Sequence, residues 1–137
     1  MMVVFVNQDK NLQESFIKAF QKTNNVHCFN EMFEAYKWIK RTNKSPNIII
    51  SEVNLSDPSG MQSLKFLVTK NKLKETRHIV VTNTQPEREE LSYILSEGAA
   101  AVFSKDTCLT DISAYFKYLD SPGAIKTERK ITYPEKK

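Results

Sequence analysis

"IIISEVNLSDPSGM", residues 48–61, sets three consecutive isoleucines before an acid, Glu52, where the apolar run stops. β-branched residues in an unbroken run read as a strand buried on both faces, as in a parallel sheet covered by helices. Four further short apolar runs surround it: "VVFV" at 3–6, "VHCF" at 26–29, "HIVV" at 78–81 and "AAVF" at 100–103. Helical spacing fills the intervals. Leu12, Phe16, Ala19 and Phe20 share one helical face, as do Met32, Ala35 and Ile39, then Met61, Leu64, Leu67 and Val68. A fourth helix, with Leu91, Ile94 and Leu95, opens in "TQPEREE" with a proline near its start and acids in its first turn. It closes at Gly98, a C′ candidate. A fifth carries Leu109, Ile112, Tyr115, Phe116 and Leu119.

Apolar strands alternating with amphipathic helices, joined by right-handed crossovers, give an α/β doubly wound five-stranded parallel sheet with five helices. Function in such sheets gathers at the carboxyl ends of the strands. There stand Asn7, Gln8 and Asp9 after the first strand, Glu52 after the third, Thr82, Asn83 and Thr84 after the fourth, and Ser104 and Lys105 after the fifth.

The chain has 137 residues, enough for one core of ordinary size. No stretch approaches the roughly 18 apolar residues that span a bilayer, and "MMVVFV" runs straight into "NQDKN", too short for a signal sequence. A soluble, cytoplasmic protein without membrane insertion is expected. The net charge of +4 is concentrated at the end: residues 125–137 hold five Lys+Arg against two Asp+Glu, whereas 1–124 hold 15 against 14. Residues 1–120 are read as the domain and 121–137 as a basic, disordered tail. Nucleic acid is not an expected partner. Cys28 and Cys108 have no metal-ligand spacing, and only His27 and His78 accompany them. Free buried thiols are expected.

Glu52 precedes Gly60 by eight residues, and Asn83 is followed by Gly98-Ala99 at 15 and Lys105 at 22; these intervals resemble a response-regulator receiver domain, the flavodoxin-like module of two-component signalling, over residues 2 to about 120. In that family the third strand ends in a phosphoacceptor aspartate followed eight residues later by glycine. The fourth strand ends in Thr or Ser, with Gly-Ala 15 and lysine 22 residues further on. The resemblance implies the strand order 2-1-3-4-5. In that order the two cysteines lie toward opposite edges, about 19 Å apart at roughly 4.8 Å per strand, too far for a disulfide.

The departures carry the chemistry. Where family members hold Mg²⁺ with paired acids, this sequence has Asn7-Gln8, with Asp9 one place later. The phosphoacceptor position is Glu52, and the Thr or Ser position is Asn83 unless a one-residue shift promotes Thr82. The aromatic of the fifth strand aligns with Val102, and the proline after the lysine is Asp106; Lys105 alone survives. Mg²⁺ demands near-octahedral oxygen ligation, usually with carboxylates. Asn7 and Gln8 offer neutral oxygens. A pseudo-receiver is therefore expected, with no metal or other cofactor and no catalysis of its own, in which Lys105 pairs with Glu52.

Such a module would signal through protein partners, a histidine kinase or a downstream signalling protein. The face implied is that of the fourth and fifth helices and fifth strand, with Tyr93, Val102 and Tyr115, and a homodimer is possible there. Nothing after residue 120 resembles an output domain. The remaining aromatics, Phe16, Phe20, Phe33, Trp38 and Phe66, fall mostly at core spacing. Two rival readings remain open. One is a working Mg²⁺-dependent phosphoacceptor using Asp9 with Glu52 or Asp57; the other is a flavodoxin-like cofactor binder, which lacks a glycine-rich or Ser/Thr-rich loop at "NQDKN".

Overall fold

The computed structural model describes residues 1–53 and 75–120. Five strands, β1 (Met2–Val6), β2 (Asn25–Phe29), β3 (Ile48–Val53), β4 (Arg77–Thr82) and β5 (Ala101–Ser104), form one sheet in the order β2-β1-β3-β4-β5. Every neighbouring pair is parallel. The helices among the described residues are α1 (Lys10–Phe20), α2 (Met32–Thr42), α3 (Arg88–Ser96) and α4 (Cys108–Asp120). The helix expected around residues 61–68, together with Phe66, lies outside the described residues, as does the tail from 121.

The three isoleucines that begin β3 are fully buried because the sheet is covered on both sides. Ile48 and Ile50 face one layer with Val3, Phe5, Ile79, Val81, Ala101 and Phe103, beneath α1 and α4. Ile49 faces the other with Val4 and Val6 under α2, and further along that side Val53, Val80 and Val102 meet Ile94 of α3. Burying each such side chain stabilises the fold by about 1.5–3 kcal/mol. Phe5 stacks on Phe16 at 4.1 Å, and the chain of rings continues through Phe20 to Phe116, fastening α1 and α4 together over β1.

Several boundaries and faces differ from expectation. β3 continues through Glu52 to Val53, since both residues still pair with Val81 and Thr82 of β4. Thr82 and Ser104 are likewise the last residues of their strands. On α1 the buried stripe is Gln13, Phe16 and Phe20, leaving Ala19 exposed. Phe33 is 67% exposed and outside the core. At α3, Glu87 and Glu90 form a reciprocal capping box, with the proline just ahead of the cap, and Gly98 takes φ 117°, where glycine has no steric penalty. Both cysteines are free, Cys108 buried and Cys28 half-buried; burial raises both thiols, Cys108 to about 11, so neither is an activated nucleophile. Among the described residues no helix is long and apolar enough to cross a membrane.

Candidate site at the carboxyl ends of the strands

Period two along each strand selects the side chains that can meet. Val3 and Phe5 of β1, Ile48 and Ile50 of β3, Ile79 and Val81 of β4, and Ala101 and Phe103 of β5 all face the α1/α4 layer. Glu52, still within β3, continues that alternation, and Lys105, just beyond β5, comes within 4.0 Å of it. Thr82 falls with Val80 on the opposite side. Its hydroxyl donates to the Thr84 carbonyl at 2.6 Å, and its own carbonyl accepts from the Lys105 N–H at 2.8 Å. Thr82 is thus turned away from the site; Asn83, just beyond β4, is exposed, and its N–H reaches the Val53 carbonyl at 3.4 Å.

Lys105 is the centre of charge. Its Nζ lies 3.2 Å from Asp9 Oδ2 and 4.0 Å from Glu52 Oε2, with all three side chains between a quarter and two-fifths exposed. The nearer partner is therefore Asp9. The 4.0 Å separation from Glu52 is electrostatic proximity beyond hydrogen-bonding range. Asp9 is held by its second role, since Oδ1 accepts the Leu12 N–H at 3.1 Å as the N-cap of α1. That backbone hydrogen bond first, and then Lys105, lower the Asp9 carboxyl below its ordinary value.

The residue aligned with the missing acid pair is built inward. Asn7 is 2% exposed, and its Oδ1 accepts the Asp9 N–H at 2.9 Å, which assigns Nδ2 as the other amide atom. Nδ2 has no hydrogen-bond partner among the described residues. Gln8 is exposed. A residue that the sequence alone does not single out organises this corner: Gln13, buried on α1, donates through Nε2 to the Asn7 carbonyl and to Asn30 Oδ1 at 3.1 Å, and approaches the Phe29 carbonyl at 3.5 Å. The signal was present in the pattern, because a polar residue three before Phe16 lies on the apolar stripe of its helix.

The residues expected on an output face separate. Tyr93 stands out on α3 at 54% exposure, whereas Val102 is 1% exposed in the core beneath α3 and Tyr115 only 5%, with its ring 6.3 Å from Phe103. The apolar stripe of α4, with Cys108, Ile112 and Phe116, draws Tyr115 inward. Gly60 and Asp57 lie outside the described residues.

No family model and no curated protein matches the chain. Solved structures do. The isolated REC domain of RcsB from Salmonella enterica serovar Typhimurium superposes with a TM-score of 0.73 in the presence of the phosphomimetic BeF3⁻, at 16% identity over 98% of this chain and 94% of that one. In its apo form the TM-score is 0.75 at 18% identity, covering 98% and 93%. A LuxR-family DNA-binding response regulator from Silicibacter pomeroyi gives 0.71 at 13% identity, covering 98% of both chains. The chain has the receiver fold. Receiver-fold chains that are longer also match, including an RcsB response regulator of which this chain spans 62%. Within this fold, Asp9, Glu52 and Lys105 stand at the carboxyl ends of the strands, where open α/β sheets place their sites.

Proposed function

We propose that the protein is a two-component-type signalling module that works by protein contact, with its crevice held by the Lys105 ammonium rather than switched by phosphorylation. The observation that carries this reading is the bridge itself: one cation stands between Asp9 and Glu52, at 3.2 and 4.0 Å. Two carboxylates against one ammonium leave one net negative charge.

The Mg²⁺ that receivers of this kind use does not suit these donors. Asn7 is a neutral ligand whose oxygen already accepts the Asp9 N–H and whose amide nitrogen has no lone pair for a metal. Asp9 divides its carboxylate between Leu12 and Lys105, and Glu52 faces the same ammonium. A dication would have to enter beside an existing cation and draw ligands from a cap and a backbone turn. The chain is accordingly assigned no enzymatic step. Its output is assigned to protein partners, a kinase or a downstream protein, meeting the surface around Tyr93. The neighbours support a signalling role through what they are, an isolated REC domain and a DNA-binding response regulator.

The convergence of Asp9 and Glu52 on one point also gives the rival its best argument, since two carboxylates that share an ammonium can exchange it for a metal. The test is an amide NMR titration with Mg²⁺ followed by beryllofluoride, following Asn7, Asp9, Glu52, Asn83 and Lys105. The expected result is no saturating shift at millimolar metal. Saturating shifts radiating from the crevice overturn the reading in favour of Mg²⁺-dependent phosphoryl acceptance.

A further inference from the structure

Large apolar side chains are exposed at Met1, Phe33 and Tyr93 among the described residues. Two of these lie within charged helical stripes of opposite sign. On α2, Phe33, Lys37 and Arg41 follow one another at four-residue spacing, all exposed, with the Lys37 ammonium 5.2 Å from the centre of the Phe33 ring. On α3 and its C-cap, Glu89, Tyr93 and Glu97 repeat that spacing. Glu89 and Tyr93 are exposed and Glu97 is partly so.

We propose that the α2 stripe of one copy docks on the α3 stripe of a second copy of this chain. The charges complement, two cations against two carboxylates, and each stripe carries one aromatic ring. Four-residue steps on an α-helix rise about 6 Å, so rungs on one stripe match rungs on the other. With Lys37 over Tyr93 at the central rungs and the helices parallel, Arg41 faces Glu97, so one ion pair and one cation–π contact join the stripes. Arg88 falls off the acidic stripe by helical phase, whereas Glu34 borders the basic one beside Arg41, where exposed Lys40 on its other edge keeps the face net positive. α3 also ends in Glu97 with no basic residue in its last turn, although the helix dipole favours a cation there; the docked Arg41 supplies one.

Within one molecule the stripes sit over different parts of the sheet, α2 above Val4, Val6 and Ile49, and α3 above Val53, Val80 and Val102. Each copy therefore offers one basic and one acidic stripe. The strength of the contact depends on salt, because exposed pairs are screened over about 10 Å at 0.1 M.

Sedimentation equilibrium on the full chain tests this, with paired charge reversals. At low salt the wild-type mass is expected to rise with concentration, and raising the salt to about 0.5 M weakens association on the order of tenfold. Lys37→Glu with Arg41→Glu makes both stripes acidic, and Glu89→Lys with Glu97→Lys makes both basic. Each variant alone is expected to sediment as a monomer, and an equimolar mixture of the two to associate again. A mixture that stays monomeric overturns the proposal, as does wild-type association that survives either reversal. Phe33→Ser and Tyr93→Ser provide a second pair that leaves the charges intact; undiminished association in both also overturns it. Circular dichroism of every variant establishes that the fold is retained.

Discussion

His78 gives this fold a calculable weakness toward acid. It lies in β4 at 2% exposure, and neither ring nitrogen has a hydrogen-bond partner among the described residues. Burial of the ring lowers its pKa from 6.5 to about 4, because a charged imidazolium loses its hydration with nothing to replace it. Between those two values the unfolded chain takes up a proton that the folded chain refuses. The stability contributed by neutral His78 is therefore complete above the unfolded pKa, and it declines as the pH falls toward the folded one. The full gap corresponds to about 3 kcal/mol, of which about 2 kcal/mol is lost between pH 7 and pH 5. Urea unfolding at a series of pH values, on wild type and His78→Leu, isolates this residue. His27, also lowered by burial, and Asp9 act in the same direction but cancel in the difference. The variant should lose less stability than wild type on acidification, by about 2 kcal/mol over that interval. At pH 7 it should be no less stable, since leucine removes two unpaired polar atoms from the interior. Equal slopes for the two proteins between pH 5 and 7 would refute the reasoning.

Other outcomes follow from the crevice. Asp9→Asn retains the cap on Leu12 but loses the charge on Lys105, whereas Asp9→Ala loses both, so thermal midpoints should run wild type, then Asn, then Ala; reversal of the last two would remove the cap from the account. Gln13→Leu strips hydrogen bonds from the Asn7 carbonyl and the Asn30 side chain and should destabilise the protein by about 1–3 kcal/mol in denaturant titrations. Lys105→Met frees Asp9 and Glu52 to share a cation. Stability should change by less than about 1 kcal/mol, because the bridge is partly exposed, while calorimetry should detect divalent-metal binding weak or absent in wild type.

The sheet was legible because its determinant is local. Runs such as Ile48–Ile50 have no polar phase, and only a sheet covered on both sides accommodates them. The strand order was legible through the intervals shared with receivers, and so was the approach of Lys105 to Glu52. What escaped was set by competition among side chains for one position. Asp9 precedes α1, and the cap on Leu12 places its second oxygen beside Lys105, nearer than Glu52; no interval encodes that. Tyr115 has the composition of a surface residue but the phase of Ile112 and Phe116, and phase prevailed. Phe33 shows the converse, an aromatic whose helix turns its buried side, Ala35 and Ile39, elsewhere.

The hydroxyl of Thr82 holds the Thr84 carbonyl while the Thr82 carbonyl holds the Lys105 amide. The chain that leaves β4 is thus tied twice within three residues, once to itself and once to the start of the segment after β5. Any excursion of that loop must first break a short hydrogen bond and then loosen the backbone that carries the bridging lysine. Motion there is a cooperative opening rather than a free swing, and the Lys105 amide should exchange with solvent on the timescale of that opening, reporting how often the crevice unlatches.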